Sequence, residues 1–309
     1  MIRPGVIAVI GLAAAAAAAA LALSLDRDDS DDTASLPNAA VFGPPSPDEA
    51  KGPAVTVARF GPTGDMMIAG RAIPEAQVVV RKTNLAGEVT EIGRIIADSR
   101  SEWVFVPDGP LAPGAWRIGV WSDRTAGPVS VVVAVPDGDP GALVALETPS
   151  NGPSRILKGG EDTPRPSILV VDRDENGRMA MAGRADPNAI LHLYADNRFI
   201  GRTVADDHGD WQAAARTSKT GGRSLRVDEV DAKGKVSGRR QRTWNGAVQD
   251  GLPVSASGFG GVARDDAWQV VRRGPDGAAI MTTIYRADKA GLADPDLIYP
   301  GQVFSAGKD

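Results

Sequence analysis

The sequence predicts a mainly β protein behind one N-terminal transmembrane helix, and three observations carry that prediction. Apolar and polar residues alternate in short runs, clearest in Gln77-Val78-Val79-Val80-Arg81 and Trp116-Arg117-Ile118-Gly119-Val120, and alternation with period two marks half-buried strands. Turn clusters of Gly, Pro, Asn and Asp break these runs roughly every ten residues, the rhythm of a small sandwich. One stretch of sequence also occurs twice. Outside the N-terminus, the only helical spacing read is a short one near the C-terminus, Ile284 to Ala287.

Residues 5–25 contain no charge. As a helix at ~1.5 Å per residue they span about 30 Å, one bilayer core. Arg3 precedes the run, and Asp26, Asp28, Asp29, Asp31 and Asp32 follow it. Positive charge stays on the cytoplasmic side, so the chain is expected to leave the membrane outward. A second reading is a cleaved signal peptide, with Ala20-Leu21-Ala22 at the cleavage site; eight consecutive alanines, 13–20, are only weakly hydrophobic. Residues 26–53 form a tether, acidic and then proline-rich, without apolar periodicity.

Composition excludes whole classes of chemistry. The chain has 309 residues, a net charge of -5, two histidines and no cysteine. Disulfides, thiolate metal sites and cysteine nucleophiles are absent together. With only His192 and His208 available, a histidine-rich metal centre has almost nothing to draw on. No dense Lys/Arg run suggests nucleic acid, and no cofactor is implied.

The repeat pairs "MMIAGRAIPEAQVVV" (66–80) and "GRIIADSRSEWVFVP" (93–107) with "MAMAGRADPNAILHL" (179–193) and "GRTVADDHGDWQAAA" (201–215). Ala69-Gly70-Arg71 matches Ala182-Gly183-Arg184, Pro74 matches Pro187, and Trp103 matches Trp211. One structural unit is therefore used twice. The expected domains are 54–149 and 167–246, with linkers at 150–166 and 247–266 and a small module at 267–309. The runs 131–135 and 143–146 read as a strand ending the first domain and one further pairing beside it.

These motifs resemble the bacterial Ig-like domains of surface proteins: a strand ending in Ala-Gly-Arg, a Pro-x-Ala turn, then a polar turn leading to Trp. The resemblance implies two Ig-like β-sandwiches with Trp103 and Trp211 in their cores, and says little about function.

At the C-terminus, residues 267–274 read as a strand and a Gly turn. Residues 282–289 place Ile284 and Ala287 at helical spacing, and Asp294-Pro295-Asp296-Leu297-Ile298-Tyr299-Pro300-Gly301-Gln302-Val303-Phe304 reads as a loop and strand. This resembles the second half of a LysM domain, a small α+β peptidoglycan-binding module. The first helix of that module is missing, and Asp288 replaces its usual asparagine. The resemblance implies an uncharged groove for N-acetyl sugars. Gly274, Pro275 and Asp276 would line one side, and Asp294, Leu297, Ile298 and Tyr299 the other.

Three further places look chemical. Asp172-Arg173-Asp174-Glu175-Asn176-Gly177 begins like a calcium loop, but its twelfth position is Gly183 rather than Glu, and a hairpin turn using Asn-Gly explains both it and Gly61-Pro62-Thr63-Gly64 at the same place in the first repeat. Asp206-Asp207-His208-Gly209-Asp210 matches Asp98-Ser99-Arg100-Ser101-Glu102 and reads as a polar turn. Trp121 falls on the strand face opposite Trp116, Ile118 and Val120, where its repeat counterpart is Asp228, a solvent-type residue. It is either an exposed contact for a protein partner or a sugar ring, or covered by the 136–165 segment.

Together these readings describe a non-enzymatic, single-pass protein of a bacterial inner membrane with its bulk in the periplasm. In the alternative it is secreted there after signal cleavage. The expected partner is peptidoglycan, bound through the C-terminal module with the Ig-like domains as spacer. The alternative is an interaction scaffold for other envelope proteins with a vestigial LysM. Wall enzymes of the L,D-transpeptidase and zinc-amidase types need the cysteine or clustered histidines that are missing. A carboxylate-based glycosidase would need a cleft, and small sandwiches offer no evident one.

Overall fold

The computed structural model describes residues 52–150, 152–160, 163–217, 224–244, 258–273 and 278–286. Among them the one helical turn is the 3-10 segment Pro140–Ala142; everything else regular is antiparallel β. No helix among the described residues is long and apolar enough to cross a membrane. The expected transmembrane run, the 26–53 tether except its last two residues, and residues 287–309 lie outside them.

The first sandwich has ten strands: β1 (Ala54–Phe60), β2 (Met66–Arg71), β3 (Gln77–Thr83), β4 (Val89–Ile96), β5 (Glu102–Phe105), β6 (Gly114–Ser122), β7 (Thr125–Ala126), β8 (Val129–Val135), β9 (Val144–Pro149) and β10 (Arg155–Lys158). Sheet I is β1-β2-β5; sheet II is β10-β9-β8-β6-β3-β4, with β7 on β6. Their inner faces bury Met66, Ile68, Val78, Val80, Trp103, Ile118, Val120, Val131 and Val133.

The second sandwich follows the same plan with β11 (Val170–Asp174), β12 (Arg178–Arg184), β13 (Ile190–Ala195), β14 (Arg198–Val204), β15 (Asp210–Arg216), β16 (Ser224–Val230) and β17 (Val236–Thr243). Three more strands, β18 (Phe259–Ala263), β19 (Ala267–Arg273) and β20 (Ala279–Tyr285), complete it. Sheet III is β15-β12-β11-β20-β19-β18 and sheet IV is β14-β13-β16-β17. The core between them holds Met179, Met181, Leu191, Leu193, Trp211, Leu225, Val227 and Tyr285.

The repeat is physical. Gly70 pairs with Trp103 and Gly183 with Trp211 across neighbouring strands. A Cβ on Gly70 would lie 2.6 Å from the Trp103 ring, and one on Gly183 2.9 Å from the Trp211 ring. Glycine is required so that each indole can lie across the strand. The Pro-x-Ala turns also coincide: Ala76 N–H donates to Ile73 C=O and Ala189 N–H to Asp186 C=O, both at 3.0 Å. Glu75 and Asn188 both have φ of 61°, as the third residue of a type II turn requires.

Two expectations need correction. Residues 282–285, where the expected helix would begin, are strand. Thr282, Thr283, Ile284 and Tyr285 are the buried end of β20, which pairs with β11 on one side and β19 on the other. Two apolar positions are too few to define a period. The run Ile280-Met281-Thr282-Thr283-Ile284-Tyr285 is dominated by β-branched residues, which fit a pleated surface. The strand pair 267–285 is therefore part of the second sandwich rather than half of a separate α+β module. The expected linkers also contain strands: β10 lies within 150–166, and β18, with Phe259 fully buried, lies within 247–266.

Candidate interaction surface

The two sandwiches share a third core. The outer face of sheet II presents Ala115, Val132, Ala134, Val144 and Leu146. The outer face of sheet III presents Val170, Ala182, Trp268, Val270 and Ile284, with Phe259 at its edge. All are buried, so the layers run I, II, III, IV with an apolar seam at each contact. The signal was present in the sequence. Val131-Val132-Val133-Ala134-Val135 is apolar without alternation, and a strand with both faces covered needs no alternation.

A polar rivet crosses this seam. Asp172 accepts from the backbone N–H and the hydroxyl of Ser154 and from the hydroxyl of Thr282. Arg272 donates to the carbonyls of Pro149, at 2.5 Å, and Gly152, at 2.7 Å, and lies 3.6 Å from Asp172. The segment leaving β9 is thus fastened to sheet III by charge-assisted bonds. Burial lowers the Arg272 guanidinium below its ordinary pKa, and Asp172 opposes that. Arg117 lies over the Phe259 ring at the same seam, where burial lowers its pKa to about 10.

Trp121 does lie on the outward face of sheet II. It pairs with Val79 on β3 and Ala126 on β7. Its ring covers Gly119, where an added Cβ would meet the indole at 2.6 Å, and the Arg81 guanidinium stacks on it at 5.0 Å. The ring stays half-buried. The neighbour beside it is β7; the 136–165 segment instead supplies β9 and β10 beyond β8. Ile96, 62% exposed, continues this open half of the sheet. The counterpart Asp228 is not a solvent-facing residue: it is 1% exposed and held by Nε and Nη2 of Arg239 at 2.7 and 2.8 Å.

The remaining candidates resolve into turns and ion pairs. Asp174 accepts from the backbone N–H groups of Asn176 and Arg178 and from the Arg178 guanidinium, which occupies the carboxylate a calcium loop would need. Asp206 and Asp98 each accept two backbone N–H bonds inside matching turns. The N–H of Glu102 is the largest influence holding Asp98 below its ordinary pKa. Asp206, Asp207 and His208 lie close enough to share an ion, but all three are exposed and the turn accounts for their clustering. The groove residues Gly274, Pro275, Asp276, Asp294, Leu297, Ile298 and Tyr299 lie outside the described residues.

Clefts among the described residues include these two. One, of about 480 Å³, lies at the end of the first sandwich between Arg71, Ile73 and Ser101 and the β6–β7 turn at Ser122 and Asp123. The other, of about 350 Å³, runs between Arg155 and Ile156 of β10 and Asp210, Trp211 and Gln212 of β15. Neither holds a buried pair of carboxylates. Among the described residues the buried acids are Asp172, Asp174 and Asp228, each fastened to an arginine.

No family model matches the chain, and no curated protein matches it. Among solved structures, one described as a biofilm associated protein, BSP domain, matches at 16% identity and a TM-score of 0.22. The match covers 64% of this chain and 30% of that one, so this chain spans under a third of its length. At that score the likeness supports neither a fold nor a role, and the sandwich architecture rests on the strand pairing and the buried seams themselves.

Proposed function

We propose that this chain is a non-enzymatic, membrane-tethered protein of the bacterial envelope whose two fused sandwiches act as a stiff scaffold for another envelope protein. The observation that carries this reading is the shared seam of sheets II and III with its Asp172–Arg272 rivet. Two sandwiches on flexible linkers would set only a reach, whereas a fused pair holds its surfaces in a fixed relation to one another. The partner contact is the open half of sheet II, where Trp121 and Arg81 offer an aromatic ring and a cation side by side, the residue types that anchor interfaces. In-cell crosslinking should recover a protein partner that is lost on Trp121→Ala while the melting temperature is unchanged. Recovery of the same partner from the variant would remove this surface from the account.

A second reading, peptidoglycan binding, is favoured by one specific observation, the 294–304 motif with its LysM resemblance. The strand that would open the resembling module, β19, is already committed to sheet III, so a glycan cradle would have to form from the tail alone. The comparison that tests it is sedimentation with insoluble peptidoglycan of the full chain and of a chain ending at Ala287, which keeps β20 intact. Equal sedimentation of the two would end the wall-binding reading.

A further inference from the structure

We infer that the cleft at the end of the first sandwich binds the end of a peptide chain, with the terminal carboxylate on Arg71 and a small aliphatic side chain against Ile73. The inference deepens the scaffold reading and rests on it for the source of the peptide: Ser122 and Asp123, which line the cleft, directly follow Trp121. At about 480 Å³ the cleft has the size of a small-ligand site. Arg71, Ile73 and Ser101 form one wall, and Ser122, Asp123 and Thr125 the other. Gly52 and Pro53 join the two. Ala54 pairs with Arg71, and a Cβ added to Gly52 would lie 2.2 Å from the Ala126 carbonyl oxygen.

The second copy has the same end filled. Ala54 stands opposite Arg71, and Ser167 opposite Arg184, so Gly52 corresponds to Arg165 and Ile73 to Asp186. Arg165 lies 3.7 Å from Asp186, and its Nη1 is 3.5 Å from where a Cβ on Gly209, the counterpart of Ser101, would sit. The first copy has neither member of that ion pair. Its end stays open, and Ile73 is 68% exposed.

The same comparison leaves a cation without its acid. Arg184 pairs across strands with Asp210, and its Nε lies 3.0 Å from that carboxylate. Arg71 pairs in register with Glu102, but the Glu102 carboxylate lies 3.6 Å from Arg100 instead. Among the described residues Arg71 donates to the Arg100 carbonyl alone, at 3.2 Å. A guanidinium with donors to spare binds a carboxylate through two parallel hydrogen bonds, and the hydroxyls of Ser101, Ser122 and Thr125 can add to them. Asp123, on the opposite wall, supplies an acceptor for the N–H that neighbours a terminal carboxylate. No aromatic ring among the described residues lines the cleft, so nothing there stacks on a sugar, whereas Ile73 and Pro53 offer an aliphatic wall.

Saturation-transfer NMR on the full-length protein in nanodiscs, with N-acetyl-L-valine as the probe, tests this. The acid should give a signal, and the uncharged N-acetyl-L-valinamide should give none. Arg71→Gln should abolish the signal and leave the melting temperature in place. Ser101→Gly puts the second copy's residue at a φ of 72°, where glycine is unstrained. It should weaken the signal without lowering the melting temperature. Equal signals from acid and amide, no signal from either, or a signal that survives Arg71→Gln would overturn the inference. Binding of free L-valine in place of the acetylated form would overturn it too, since the site would then take free amino acids. Any of these outcomes with the Trp121-dependent crosslink intact removes the cleft and leaves the scaffold reading. Loss of that crosslink with N-acetyl-L-valine still bound removes the Trp121 surface and leaves the cleft.

Discussion

The two copies of the repeat share a skeleton, and the second has been built upon where the first has been left bare. Both place a tryptophan over a strand glycine, turn on a Pro-x-Ala corner, and cap a hairpin with an aspartate. Strand β1 ends sheet I at its edge with a register shift between Val55 and Val57, which blunts an open edge. Its counterpart β11 instead accepts β20 and through it a three-strand extension. Arg59, exposed on β1, corresponds in register to Asp172, buried on β11. Trp121, half-buried on one outer face, corresponds to Asp228 under its arginines. Identical frames can thus expose or bury the same position, depending on what the rest of the chain lays over it.

That comparison can be broken most forcefully at the paired tryptophans. Trp103→Ala and Trp211→Ala should each cost ~3–5 kcal/mol, the range for emptying a large aromatic from a core. Trp211 also donates to the Ser167 carbonyl at 3.1 Å, whereas the Trp103 indole N–H has no partner among the described residues. Trp211→Ala should therefore be the worse of the two by about 1 kcal/mol in denaturant titrations. Equal costs would mean that the second indole is held by packing alone.

Next in size is the pair at the exposed and buried register position. Asp172→Ala leaves Arg272 uncompensated in the seam and should cost about 3–5 kcal/mol. Arg59→Ala should stay within ~0.5 kcal/mol of the native protein. The same titrations measure both, and a small effect for Asp172→Ala would show that the rivet does not hold the sandwiches together.

The hairpin that only the second copy possesses brings a pH signature. Burial raises the Tyr285 phenol above its ordinary pKa, with Arg242 opposing the shift. A raised pKa contributes stability that is complete below the unfolded value, about 10, and is lost as pH rises through the folded one. Thermal stability should therefore fall above pH ~10, and Tyr285→Phe should flatten that fall. Phenolate absorbance should develop at that site only as the fold is lost. An early, independent ionisation of Tyr285 would place it outside the core.

Much of the skeleton was legible because its determinants are local. Ala69-Gly70-Arg71 recurs as Ala182-Gly183-Arg184 with a Trp after each, and Glu75 and Asn188 follow prolines at turn positions. Trp121 could be assigned to the outer face by counting from Ile118. What escaped was the pairing of β20 with β11, whose partners are separated by about a hundred positions along the chain, a separation no local period encodes. Thr282 and Ile284 therefore read as the start of a helix. Phe259 read as part of a linker, because a lone aromatic among glycines and serines carries no period. Asp228 read as solvent-facing, because Arg239, which closes over it with two hydrogen bonds, comes from the neighbouring strand β17.

By itself the sequence determined the unit: alternation sets strands, glycine and proline set corners, and repetition sets that the unit is made twice, since each of these acts within a few bonds of the residue concerned. Only the tertiary structure decided that the two units fuse through a third apolar seam and that the last described hairpin belongs to the second of them. Burial depends on which surfaces meet, and those surfaces come from strands far apart in the chain.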